Sequence, residues 1–157
     1  MSSTDFLIAD EQEMRAFGAR LLSACDHGGV ITLSGELGTG KTTLVRGALQ
    51  SQGIVSGVRS PTYTLVEYYS LQRFAVAHFD LYRLGDAEEL EYLGYRDYLN
   101  PETLCLIEWP QRAAGYLSAV DLTIELDYDV AGRRLGLVAG SDWGARLIAR
   151  LNEVESG

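Results

Sequence analysis

Long apolar runs are missing: no stretch of the 157 residues approaches the roughly 20 needed to cross a bilayer, so no membrane-spanning role is expected. The opening residues, Met1-Ser2-Ser3-Thr4-Asp5, lack the basic-then-apolar layout of a secretory signal, and none is expected there. Cysteine is scarce. Cys25 and Cys105 stand far apart, each without a second cysteine nearby, which excludes a disulfide framework and a zinc knuckle. Cys105, inside Leu104-Cys105-Leu106-Ile107, reads as an inert core thiol. The two histidines, His27 and His78, make no metal pair. Basic charge is in deficit: 13 Lys and Arg against 22 Asp and Glu give a net charge of −9. Such a surface repels phosphate backbones and anionic headgroups, so an unaided grip on bare nucleic acid or on a membrane is not expected. The 46% hydrophobic fraction supplies a core and excludes disorder. No repeat, low-complexity tract or linker divides the chain, so residues 1–157 read as one domain, acidic, metal-poor and cytoplasmic.

Strands and helices alternate along the pattern. Phe6–Ala9 is an opening strand candidate. Asp10 followed by Glu13 fits a capping box, and Met14, Phe17 and Leu21 then recur at helical spacing as far as about Ala24–Asp26, before Gly28-Gly29. Val30–Leu33 is a buried strand and Lys41–Gln52 a second helix. Further strands are expected over Tyr63–Tyr69, Ala75–Phe79 and Leu104–Ile107, with a helix starting at Asp86. Leu122 to Tyr128 alternates, turns at about Asp129–Arg133 and alternates again through Leu135 and Leu137, an antiparallel hairpin. Trp143, Leu147, Ile148 and Leu151 mark a closing helix. The expected fold is α/β with a mixed, mostly parallel sheet and a C-terminal antiparallel hairpin.

The most informative stretch is Gly35-Glu36-Leu37-Gly38-Thr39-Gly40-Lys41-Thr42-Thr43, which satisfies every fixed position of G-x-x-x-x-G-K-[ST] between a strand and a helix. Glycines 35, 38 and 40 let successive amides face one point, and the helix beginning near Lys41 adds its positive end to that point. Lys41 is placed to reach the β- and γ-phosphates, and the Thr42 hydroxyl to ligate Mg2+. This is a P-loop, and the fold it belongs to is a three-layer sandwich of the P-loop NTPase type.

A nucleoside triphosphate site also needs a carboxylate at the end of an apolar strand. Asp80 after Ala75–Phe79 and Glu108 after Leu104–Ile107 both qualify, and periodicity does not rank them. Strand-terminal acids in such sheets open into the same crevice as the cradle, so both are expected near the metal. Ser60-Pro61-Thr62 occupies the place of a switch segment, where a hydroxyl can approach the γ-phosphate; a plain proline turn is the alternative. Trp109 reads as core filler and Tyr63, Tyr68 and Tyr69 as sheet-face packing. No N-K-x-D stretch occurs, so guanine reading lacks support and adenine follows by elimination. Arg59, Arg83, Arg133 and Arg134 are scattered candidates for charge neutralisation, each individually closer to a solvated surface charge.

Four strings occur together: the P-loop, Ser60-Pro61-Thr62-Tyr63-Thr64-Leu65-Val66-Glu67, His78-Phe79-Asp80-Leu81-Tyr82-Arg83-Leu84 and Glu108-Trp109-Pro110. In this order they resemble the TsaE family, bacterial P-loop ATPases of tRNA threonylcarbamoyladenosine synthesis. The resemblance implies ATP and Mg2+ as cofactors and slow hydrolysis by the isolated protein. It also implies partnership with TsaD and TsaB, the pair that modifies the adenosine beside the anticodon, with tRNA contacted only through that complex. Carried over by position, Lys41 and Thr42 bind phosphate and metal, Glu108 looks like the carboxylate on Mg2+, and Asp80 is the second essential acid. Thr62 belongs to the switch-like segment, and Glu11 and Arg133 match places flanking the adenine. Two other functions share such a cradle: a small-molecule kinase, which needs an acceptor pocket and an arginine-bearing lid, and a nucleotide-dependent adaptor without chemistry.

Overall fold

Burial decides which runs become central strands. Leu104–Ile107 and Val76–Phe79 are continuous buried runs without alternation, as strands covered on both faces must be. The computed structural model describes residues 3–54, 65–117 and 119–156. In chain order these form β1 (Ser3–Ile8), α1 (Glu11–Ala24), β2 (Gly29–Ser34), α2 (Lys41–Gln50), β3 (Val66–Ser70), β4 (Ala75–Asp80) and α3 (Glu89–Tyr92). There follow a 3-10 turn (Tyr95–Tyr98), β5 (Thr103–Glu108), a second 3-10 turn (Pro110–Ala113), β6 (Leu122–Asp129), β7 (Gly132–Ala139) and α4 (Asp142–Ser156).

The seven strands of the described residues lie in one sheet, ordered β1-β7-β6-β2-β5-β4-β3. The four central strands β6, β2, β5 and β4 run parallel, and the outer pairings β1–β7, β6–β7 and β3–β4 are antiparallel. The sheet is therefore mixed with a parallel centre, and β6–β7 is the expected hairpin. Strand alternation sends Ile31, Leu33, Leu104 and Leu106 to one face, where α1, α2 and α4 cover them. Val30, Ala77, Phe79, Cys105 and Ile107 go to the other, beneath Leu84, Leu90, Tyr95 and Ala113 of the shorter segments. Among the described residues no helix is long and apolar enough to cross a membrane.

Local chemistry explains the helix ends. The Asp10 side chain accepts the Glu13 amide at 2.9 Å, while Glu13 accepts the Ala9 amide at 2.8 Å, one residue earlier than a regular capping box requires. α1 and α2 touch at glycines: a Cβ on Gly18 would stand 2.0 Å from the Leu44 carbonyl oxygen, and one on Gly47 would stand 2.2 Å from that of Arg15.

Two expected elements differ. The helix expected from Asp86 is reduced to the single turn of α3, because Gly94 enters the left-handed region (φ 72°) immediately after it. The strand expected over Tyr63–Tyr69 is Val66–Ser70; Tyr63, Thr64 and the Ser60-Pro61-Thr62 segment lie outside the described residues. At the carboxyl end of the parallel centre, register pairs Leu33 with Glu108 and Glu108 with Asp80, bringing both acids beside the turn that leaves β2.

Candidate nucleotide site

The turn from Gly35 to Gly40 joins β2 to α2 and holds its shape through its own neighbours. Gly40 caps α2 at φ 110°, a conformation that favours glycine, with its α-carbon close to Met14 of α1, where a Cβ would stand 2.8 Å from Cε. Four successive carbonyls accept side-chain donors. Lys41 Nζ donates to Gly35 and, at 2.9 Å, to Glu36. The Thr39 hydroxyl also donates to Glu36 (2.8 Å), the Tyr128 hydroxyl to Leu37 (2.6 Å) and Arg133 to Gly38 (3.2 Å).

Lys41 is only 5% exposed although it carries a charge. Its two carbonyl acceptors and the Trp109 ring, whose centroid lies 4.3 Å from Nζ, compensate for lost water. Burial pulls its pKa below that of an ordinary lysine, and the nearby Glu108 and Asp80 carboxylates oppose that pull. Trp109 itself is left-handed (φ 61°), an uncommon conformation for a bulky residue, with its amide donating to Leu33 at 3.3 Å. The sequence favoured core filling for this side chain. It does pack on the smaller cluster, yet its ring also covers Lys41.

The Thr42 hydroxyl lies 3.1 Å from both carboxylate oxygens of Glu108 and donates its proton to them. His78 Nε2 meets Glu108 Oε2 at 2.6 Å. Asp80 accepts the Tyr82 amide at 3.1 Å and lines the same cavity as Glu108, about 450 Å3 in volume, together with Lys41, Thr42, Thr43, Arg83 and Trp109. This volume is of the size that holds small ligands. A second cavity of about 380 Å3 shares Gly38, Gly40 and Thr43 with the first and carries Glu11 and Arg133 at its edge. Glu11 pairs with Arg15 at 2.9 Å, and the Arg133 guanidinium lies 4.5 Å from the centre of the Tyr128 ring.

The structure thus brings together Gly35, Leu37, Gly38, Thr39, Gly40, Lys41, Thr42, Thr43, Asp80 and Glu108, and sets Glu11 and Arg133 in the adjoining hollow. Thr62 and Arg59 lie outside the described residues. Arg83 lines the first cavity, whereas Arg134 pairs with Asp129 at 2.9 Å. Sequence reasoning missed His78 and Tyr128. A signal existed for His78, which stands two residues before Asp80 and therefore shares its strand face. Nothing comparable marks Tyr128.

A parallel-centred α/β sheet, a glycine-rich turn opening a helix, and two strand-terminal acids facing that turn define the class: a mixed-sheet domain with a candidate phosphate-binding cradle. The family model described as "Threonylcarbamoyl adenosine biosynthesis protein TsaE" matches residues 8–135, and the chain belongs to the TsaE family. The tRNA threonylcarbamoyladenosine biosynthesis protein TsaE of Haemophilus influenzae is 42% identical over 154 residues, covering 95% of this chain and 98% of that protein. The Bacillus subtilis protein of the same name is 34% identical over 109 residues, 69% of this chain and 68% of its own length. The crystal structure of Bacillus subtilis YdiB aligns with a TM-score of 0.76 at 24% identity, over 98% of this chain and 97% of that one, a likeness of fold.

Proposed function

We propose that the chain is a Mg2+-dependent ATPase of the cytoplasm, binding ATP in the larger cavity with its base toward Glu11 and Arg133. In this reading it supports TsaD and TsaB in threonylcarbamoylating the tRNA adenosine next to the anticodon, and meets tRNA only through them. One observation carries the reading: Lys41, Thr42 and Glu108 converge on a single cavity in a chain of this family.

The residues fit the implied groups. Because the Thr42 proton is directed to Glu108, the Thr42 oxygen keeps its lone pairs for a cation. Among the described residues no three His, Cys, Asp or Glu side chains cluster as a metal cage. Mg2+ commonly takes one or two carboxylates plus phosphate oxygens, which Glu108, Asp80 and the Thr42 hydroxyl accommodate. Mg2+ neutralises charge on the phosphates when bound. Lys41 supplies a buried cation whose two carbonyl partners can be exchanged for phosphate oxygens. The loop amides and the start of α2 orient the anion, and Trp109 limits water around Lys41. The acidic surface suits a protein that reaches tRNA through partners.

Calorimetry with Mg2+ and ATP, followed by phosphate release with and without TsaD and TsaB, tests this. Binding and partner-stimulated release are expected. Lys41→Ala should weaken binding about 10- to 100-fold through loss of a charged hydrogen bond. Undiminished turnover in that variant would refute the site. Transfer of phosphate to a metabolite would replace ATPase with kinase, and partner binding without turnover would leave an adaptor.

A further inference from the structure

β4 presents Val76, His78 and Asp80 to the α2 side of the sheet. His78 pairs in register with Leu106, so Glu108 is its diagonal neighbour two residues along β5, on the same face. Both side chains are almost completely enclosed, His78 at 0% and Glu108 at 2% exposure. A carboxylate withdrawn from water this far needs compensating donors. Among the described residues Glu108 has two: the Thr42 hydroxyl, and His78 Nε2 at 2.6 Å, the shorter contact. A charged carboxylate only accepts, so Nε2 carries the proton of this bond. The other ring nitrogen, Nδ1, is buried without a hydrogen-bond partner among the described residues.

We propose that His78 is a positioning residue: its Nε2–H holds Oε2 of Glu108 so that the carboxylate stays aimed at Thr42 and the divalent cation bound there. The inference rests on the reading of Glu108 and Thr42 as the cation-holding pair. Without this donor, the one hydrogen-bond restraint left on Glu108 among the described residues is Thr42, a group the cation itself engages, and the carboxylate can turn toward the Lys41 ammonium. Such outer partners of metal-holding groups typically control metal affinity by about 10- to 100-fold. Nucleotide affinity without metal, governed by Lys41 and the loop, should hardly change.

Two variants separate positioning from packing. His78→Phe keeps a ring of similar volume and removes the donor, and His78→Gln replaces the donor near the Nε2 position. Mn2+ binding to each protein–ADP complex is followed by the paramagnetic signal of free Mn2+, and ADP binding is measured separately in chelator. Expected are a Mn2+ affinity about 10- to 100-fold weaker in His78→Phe, largely recovered in His78→Gln, and metal-free ADP affinity within about 2-fold of the parent. If the parent couples Mn2+ to ADP and His78→Phe does so equally well, the positioning role is overturned while the nucleotide site stands. If the parent shows no such coupling, the cation-holding pair itself is wrong. Nitrogen NMR of the parent protein gives an independent readout that survives misfolding of either variant: a protonated Nε2 is expected, and a bare Nε2 overturns the proposal.

Discussion

Gly18→Ala tests how the cradle is held, and its sign separates two effects. Alanine is about 0.5–1 kcal/mol better than glycine inside a helix, so propensity alone makes this change stabilising. The fold predicts the reverse. A Cβ at this position would sit 2.0 Å from the Leu44 carbonyl oxygen, 2.9 Å from its carbon and 3.0 Å from the Ala48 amide nitrogen, all backbone atoms of α2. Ordinary contact begins near 3.4 Å, so the two helices must part by more than about 1 Å. Overpacking of this kind costs about 1–3 kcal/mol, and a rigid backbone neighbour places it at the upper end. After the propensity gain, a net loss of about 2 kcal/mol remains. For a chain of this length that lowers Tm by about 4–8 °C. The displaced α2 also carries Lys41 and Thr42 away from Glu108, so ATP affinity should fall in the same variant. Calorimetric melting and titration with Mg2+ and ATP measure both. A Tm equal to or above that of the parent would refute the close helix crossing and the coupling drawn from it.

The cysteines and one acid give two further predictions. Burial pushes the thiols of Cys25 and Cys105 up to about 12, so thiolate is scarce at neutral pH and neither should react with a disulfide reagent at pH 8 until the protein is unfolded; fast labelling of the folded protein would contradict this. The indole N–H of Trp143, and then Arg150, hold the Asp26 carboxyl down to about 2 from an ordinary 3.8. A lowered carboxyl contributes stability that is complete above pH 3.8 and disappears as pH falls through 2. The Tm gap between the parent and Asp26→Asn should therefore close over that window, and a gap independent of pH would disprove the assignment.

Much of the site was legible because its chemistry is local in sequence. The spacing from Gly35 to Thr42, the apolar run before it and the acids ending Ala75–Phe79 and Leu104–Ile107 each follow from a few consecutive residues. The Asp10 cap and the alternation of β6 and β7 were legible for the same reason. What escaped depends on register or approach between distant segments. The bond between His78 and Glu108 exists because β4 and β5 are neighbours with a particular offset, which no single strand encodes. Tyr128 reaches Leu37 only because β6 runs beside β2. Trp109 looked like packing because hydrophobicity does not show that its left-handed backbone swings the ring over Lys41. At Asp86 the expected cap is not formed: its side chain accepts the Glu88 amide at 3.0 Å in the turn before α3, whose N-cap is Glu88, and Gly94 ends the helix after one turn.

The sheet order has a consequence for how the protein is made. β2, which delivers the cradle, has β5 and β6 as its two neighbours, and β1 pairs with β7. A ribosome must therefore emit the chain through β6 before the central strand is flanked on both sides. Contacts this distant in sequence slow folding, since the entropy of closing long loops is lost before any pairing offsets it. Glu11 and Arg133, both lining one hollow, are 122 positions apart. A nascent chain interrupted before β7 carries the full glycine-rich signature yet lacks Gly132 and Arg133, which line the adjoining hollow.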